Sequence, residues 1–134
     1  MRAIISIPFT LPDVYQGLAE GHGRLSADEQ GLMLEYRIED ALVGVVKSAV
    51  REIRIAYDDI DDIAFIDRWY RRRVVIQLHH MRAIADFPAA KSGRIILKIS
   101  RAARERAREL FSYSSLRISE ARLRQFEAPD DWPV

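Results

Sequence analysis

Ile95-Ile96-Leu97-Lys98-Ile99-Ser100-Arg101-Ala102-Ala103-Arg104-Glu105-Arg106-Ala107-Arg108-Glu109-Leu110-Phe111 changes its hydrophobic period once, at Ser100. Up to Ile99 the apolar residues Ile95, Leu97 and Ile99 fall at every second position, which puts them on one face of a β-strand. Beyond it Ala103, Ala107, Leu110 and Phe111 follow the i, i+4, i+7, i+8 spacing of one helical face, and charged residues fill the remainder. Ser100 suits an N-cap, because its hydroxyl can accept a hydrogen bond from a free N–H of the first helical turn. A last strand feeds a helix, and the segments upstream decide what that helix packs against.

Working back from Ile95, the apolar positions keep the two-residue period. Val74, Ile76 and Leu78 predict one strand, and Arg82 to Phe87 a shorter one closed by Pro88, with Ala89 to Gly93 as the loop before the last strand. Arg71-Arg72-Arg73 reads as a turn, preceded by a strand through Ile63, Phe65 and Trp69. Asp58-Asp59-Ile60-Asp61-Asp62 is a turn by composition. Ile53, Ile55 and Tyr57 alternate with Glu52, Arg54 and Ala56, and Leu32, Leu34, Tyr36 and Ile38 alternate with Glu35, Arg37 and Glu39. Ala3, Ile5 and Ile7 open the chain as a strand ended by Pro8 and Pro12. Pro8 to Gly23 then reads as a connector, with a helical turn through Val14, Tyr15 and Leu18. Downstream, Ser119 to Phe126 reads as a second, shorter helix and Pro129 to Val134 as a frayed tail. The expectation is a mainly β fold of about seven antiparallel strands, a bent sheet or partly open barrel capped by one helix, plus a short extra helix.

Size and composition agree with a single domain over residues 1–134, its core at 25–111, with the strand and connector of 1–24 before it and an extension of 112–134 after it. At 134 residues the folded chain buries roughly two-thirds of its unfolded surface. Hydrophobic residues at 49% against charged residues at 31% exclude global disorder. A net charge of +1 makes nucleic acid an unlikely partner, since such binders carry a basic excess. Without cysteine there is no disulfide, no thiolate zinc site and no thiol nucleophile. Ser6 and Pro8 interrupt the apolar run of the amino terminus, so no signal peptide is expected, and no segment approaches the roughly 18 apolar residues of a membrane span. These features predict a cytoplasmic protein.

The Gly31–Tyr36 strand, the Arg51–Ile55 strand leading into Asp59–Ile63, and the Ile95–Ile99 strand feeding the helix are together similar to the pleckstrin-homology-like superfold. Within it, the chain resembles bacterial proteins of uncharacterised function. The resemblance covers 25–111 and implies a bent antiparallel sheet capped by the C-terminal helix, a frame that serves lipid, peptide and protein partners alike. In eukaryotic members a basic signature in and beside the loop between the first two strands grips phosphoinositide head groups. Lys47, Arg51 and Arg54 lie in that region without the family's spacing, so no inositol-phosphate site is carried over.

Catalytic chemistry finds no motif. The Asp58–Asp62 cluster lacks the central glycine of a calcium loop, and Trp69 stands where its twelfth-position glutamate would be. His79 and His80 are adjacent in a predicted strand, point to opposite faces and cannot chelate one ion, and His22 is remote in sequence. Ser112, Ser114 and Ser115 sit in no Gly-x-Ser-x-Gly elbow, and Gly21-His22-Gly23 lacks the third glycine of a dinucleotide loop. No catalytic, cofactor-binding or metal-ligating residue is assigned, no cofactor is called for, and the chain is read as not an enzyme.

Two surface candidates remain. Arg68, Arg71, Arg72 and Arg73, interleaved with Trp69 and Tyr70, form a candidate anion contact, since guanidinium groups pair with phosphate or carboxylate. Internal pairing with the nearby aspartates competes for them. Leu42, Val43, Val45 and Val46, beside Lys47, form a candidate interface if exposed and a short core strand if buried. The leading expectation is a non-enzymatic binding or scaffold module acting through a protein partner or as a homo-oligomer, using an edge strand or the 41–46 segment. The alternative is peripheral binding to an anionic lipid surface through 41–51, and a small-ligand enzyme ranks third.

Overall fold

The computed structural model describes residues 4–14, 19–40, 50–80 and 93–126. Its strands are β1 (Ile5–Val14), β2 (Ala19–Ala27), β3 (Gly31–Asp40), β4 (Arg51–Ala56), β5 (Ile60–Arg68), β6 (Arg71–Leu78) and β7 (Arg94–Ile99), followed by one helix, α1 (Arg104–Phe126). Short 3-10 turns lie at Tyr57–Asp59 and Arg101–Ala103. The seven strands form one unclosed antiparallel sheet in the order β4-β3-β2-β1-β7-β6-β5. This mainly β architecture with a C-terminal helix is compatible with the pleckstrin-homology-like fold.

The first strand stands in the middle of the sheet. It pairs along its length with β2, and it meets β7 at Thr10↔Lys98, joining the β1–β4 meander to the β5–β7 meander. The connector expected over 8–23 is thereby corrected, since β1 runs on through Pro8 and Pro12 and β2 begins at Ala19. Pro8 misleads as a strand terminator, since it stands opposite Arg24 of β2 while its neighbours Ile7 and Phe9 are buried in the core, and their packing carries the strand past it. β2 lacks apolar alternation because two of its inward positions are Gly21 and Gly23. A methyl on Gly23 would lie 2.1 Å from the Glu35 carbonyl oxygen and 2.7 Å from the Phe9 ring. The neighbouring strands supply the bulk there.

The core lies between the inner face of the sheet and α1. Ile7, Leu25, Leu34, Ile76 and Leu97 are fully buried on the sheet side, and Ala107, Leu110, Ser114, Ile118 and Ala121 are buried on the helix side. Ala103, Ala107, Leu110 and Phe111 share the packed face, as their spacing predicts, with Phe111 partly buried. The second helix expected over Ser119–Phe126 belongs to α1 itself, because Ile118 and Ala121 prolong the same buried stripe. Ser100 occupies the N-cap position of the 3-10 turn but makes no side-chain cap hydrogen bond; its carbonyl accepts from Ala103 N at 3.1 Å. Ion pairs and a backbone contact align α1 antiparallel to β5: Arg104 and Arg108 reach Asp67 at 2.6 and 3.1 Å, and Arg122 donates to the Asp61 carbonyl at 2.6 Å.

The hairpin between β5 and β6 turns at Trp69–Tyr70, not at Arg71–Arg73, which begin β6. β6 ends at Leu78, so His79 and His80 lie beyond the strand, both exposed, with His79 Nδ1 3.6 Å from Asp61 Oδ1. The strand expected over 82–87 and the interface candidates Leu42, Val43, Val45 and Val46 lie outside the described residues.

Candidate anion-binding face

Directly opposed residues of antiparallel strands share a face. On the outer face of β5, β6 and β7 the register places Arg68 opposite Arg71, and one row further from the turn it aligns Ile66, Arg73 and Lys98. The next row is Ala64, Val75 and Ile96. Two successive rows thus hold like-charge pairs, an arrangement that costs stability. Among the described residues, no carboxylate stands within ion-pair distance of Arg68, Arg71, Arg73 or Lys98.

The aspartate expected to compete for these arginines is held elsewhere. Asp67 points to the opposite face, where Arg104 and Arg108 of α1 bind it. The Arg104 hydrogen bond is the main reason its carboxyl ionises below the usual range. Asp58 and Asp59 lie in the 3-10 turn, while Asp61 and Asp62 lie in β5 toward its far end.

Of the four predicted arginines, the structure gathers Arg68, Arg71 and Arg73 on one face and sends Arg72 to the other. Arg72 stands opposite Asp67 in register; its Nη1 donates to the Arg68 carbonyl at 3.3 Å, and its Nε is buried with no hydrogen-bond partner. Lys98, absent from the candidates that the sequence offers, joins the group from β7, where the register sets it opposite Arg73. The turn itself is open to solvent: Trp69 is 91% exposed and Tyr70 58%. Their rings meet edge to face at 5.3 Å, and the Arg71 guanidinium sits 5.4 Å from the Tyr70 ring centre, within cation–π range.

The outer face of β2, β3 and β4 carries both signs of charge, and its directly opposed like-charge pairs, Glu20 with Glu39 and Glu35 with Glu52, are acidic. Arg24 stands opposite Glu35, Arg37 lies 3.9 Å from Glu39, and His22 lies 3.4 Å from Glu20 and 3.9 Å from Glu39. A shallow groove of about 340 Å³ runs here, lined by residues including His22, Arg24, Glu35 and Arg37. Here carboxylates are interleaved with the cations, and among the described residues no two arginine or lysine side chains stand directly opposed. Among the described residues no three His, Asp or Glu side chains converge to hold a metal ion, and no helix is long and apolar enough to cross a membrane.

Compared with known proteins, the chain matches no family model, no curated protein and no solved structure.

Proposed function

We propose that this chain is a non-enzymatic, cytoplasmic binding module of pleckstrin-homology-like type that engages an anionic partner through the outer face of β5–β7. The observation carrying this reading is the pair of like-charge rows, Arg68↔Arg71 and Arg73↔Lys98, left without a carboxylate among the described residues. A fold gains nothing from such pairs, whereas a ligand bearing phosphates or carboxylates turns their mutual repulsion into shared attraction.

Self-association through a sheet edge has less support. β5 is flanked by α1, and β4 is only six residues long and carries Arg51, Glu52 and Arg54, the short charged edge that resists strand addition. Equilibrium binding to dextran sulfate, a structureless soluble polyanion, tests the proposed reading. Affinity is expected to fall steeply with added salt and by about fivefold in Arg73→Glu. Equal affinity of wild type and Arg73→Glu at low salt would refute it.

A further inference from the structure

We infer that the anionic partner is a lipid bilayer, with the Trp69–Tyr70 tip seated at the membrane interface and the two cation rows reaching the headgroup layer. The inference rests on the anion-binding reading and adds the nature of the surface that supplies the anions. Trp69 projects from the end of the hairpin at 91% exposure, with Tyr70 beside it at 58%. Tryptophan and tyrosine rings concentrate where an apolar body can meet hydrocarbon while the polar atom stays among headgroups.

The dimensions match this placement. Arg68 and Arg71 immediately flank the two-residue tip, and Arg73 lies two residues further along β6 opposite Lys98, about 7 Å behind the first row at strand rise. The headgroup layer of one leaflet is roughly 5 to 8 Å thick. A tip at the acyl boundary therefore places the first row within the headgroup layer and the second, about 10 Å from the tip, at its outer margin, where long cationic side chains still reach toward lipid phosphates. Arg71 over the Tyr70 ring, 5.4 Å from its centre, keeps that charge close to the aromatic tip.

Single-stranded nucleic acid fits less well. A stacking platform needs rings offering open faces to successive bases, and here Trp69 and Tyr70 meet at 75°. A net charge of +1 also provides no long basic track for a phosphate backbone.

The chain has two tryptophans, so Trp132→Phe leaves Trp69 as the sole tryptophan reporter. That protein is mixed with phosphatidylcholine vesicles containing phosphatidylglycerol, with pure phosphatidylcholine vesicles, and with dextran sulfate. Expected are co-sedimentation and a blue-shifted tryptophan emission with the anionic vesicles only. In the otherwise wild-type chain, Trp69→Ser should weaken co-sedimentation about tenfold and Arg73→Glu by fivefold or more. Because Trp69 is exposed, its replacement leaves the core untouched, and circular dichroism verifies this. Binding to dextran sulfate without binding to anionic vesicles overturns the membrane inference and leaves the anion-binding reading standing. Binding to neither overturns both. An equal blue shift with neutral vesicles, or unchanged co-sedimentation of Trp69→Ser, also overturns the inference.

Discussion

Two hairpin turns of the same sheet treat their polar groups in opposite ways. In the turn between β2 and β3, the Asp28 carboxylate accepts the Gln30 and Gly31 N–H groups at 2.8 and 3.0 Å. Its carbonyl accepts the Tyr57 hydroxyl at 2.6 Å, and Glu29 lies 3.9 Å from Arg117 of α1. Arg117 in turn holds Tyr113 and Glu120. In the turn between β5 and β6, the aromatic side chains face solvent and the flanking arginines confront each other. The fold consumes the hydrogen-bonding capacity of the first turn and leaves the charge of the second unspent. Charge that is costly to the fold and unmatched within it is where a partner has most to gain.

The largest effect tests the helix on which the first turn depends. Ala107 is fully buried on the face of α1 that meets the sheet, so Ala107→Glu places an unpaired carboxylate in the core. A loss of about 3 kcal/mol is expected, read as a lower urea midpoint with the slope unchanged. An unchanged midpoint would mean that α1 is not seated as described.

A middle-sized effect belongs to Tyr57. Tyr57→Phe removes the hydroxyl that binds the Asp28 carbonyl, and a loss of about 1 kcal/mol is expected near neutral pH. Burial raises the ionisation of this phenol well above its ordinary value near 10, the neighbouring Tyr113 and Asp28 charges adding to the rise. The unfolded chain therefore gives up this proton at lower pH than the folded one. The stabilisation is complete below about pH 10 and falls as pH climbs beyond it. Tyr57→Phe should show a shallower alkaline decline than wild type; parallel curves would remove Tyr57 as its source.

The smallest effect lies at the second turn and has the opposite sign. Arg73→Thr removes one member of the Arg73↔Lys98 pair and keeps strand propensity, so stability should rise by up to about 0.5 kcal/mol at low salt, the gain shrinking as salt screens the pair. A loss above about 1 kcal/mol would show that Arg73 has a stabilising partner and would erase the contrast between the turns.

Much of this was legible in the sequence where side chains alternate cleanly. Leu32 to Ile38, Ile53 to Tyr57, Val74 to Leu78 and Ile95 to Ile99 each bury one parity, and the helical stripe from Ala103 is visible in its spacing. β2 was illegible because Gly21 and Gly23 leave their inward space to Leu11 and Phe9, so the burial signal appears on another strand. The single helix looks like two in sequence because Ser112, Ser114 and Ser115 dilute the stripe midway, although Ser114 is fully buried. At the site, composition showed the arginine cluster, but only register could separate Arg72 from Arg68, Arg71 and Arg73 and bring Lys98 to them. A shift of the turn by two residues decided which charges share a face.

The most direct measurement of the central claim is a ¹⁵N–¹H correlation spectrum of the folded protein, titrated at low salt with inorganic tripolyphosphate. The expected result is a saturable set of shifts centred on the amides of Arg68 to Arg73 and of Lys98, with those of Glu20 to Arg24 and Glu35 to Glu39 unmoved. Shifts confined to the β2–β3 face, or none at any accessible concentration, would contradict the assignment of anion binding to the β5–β7 face.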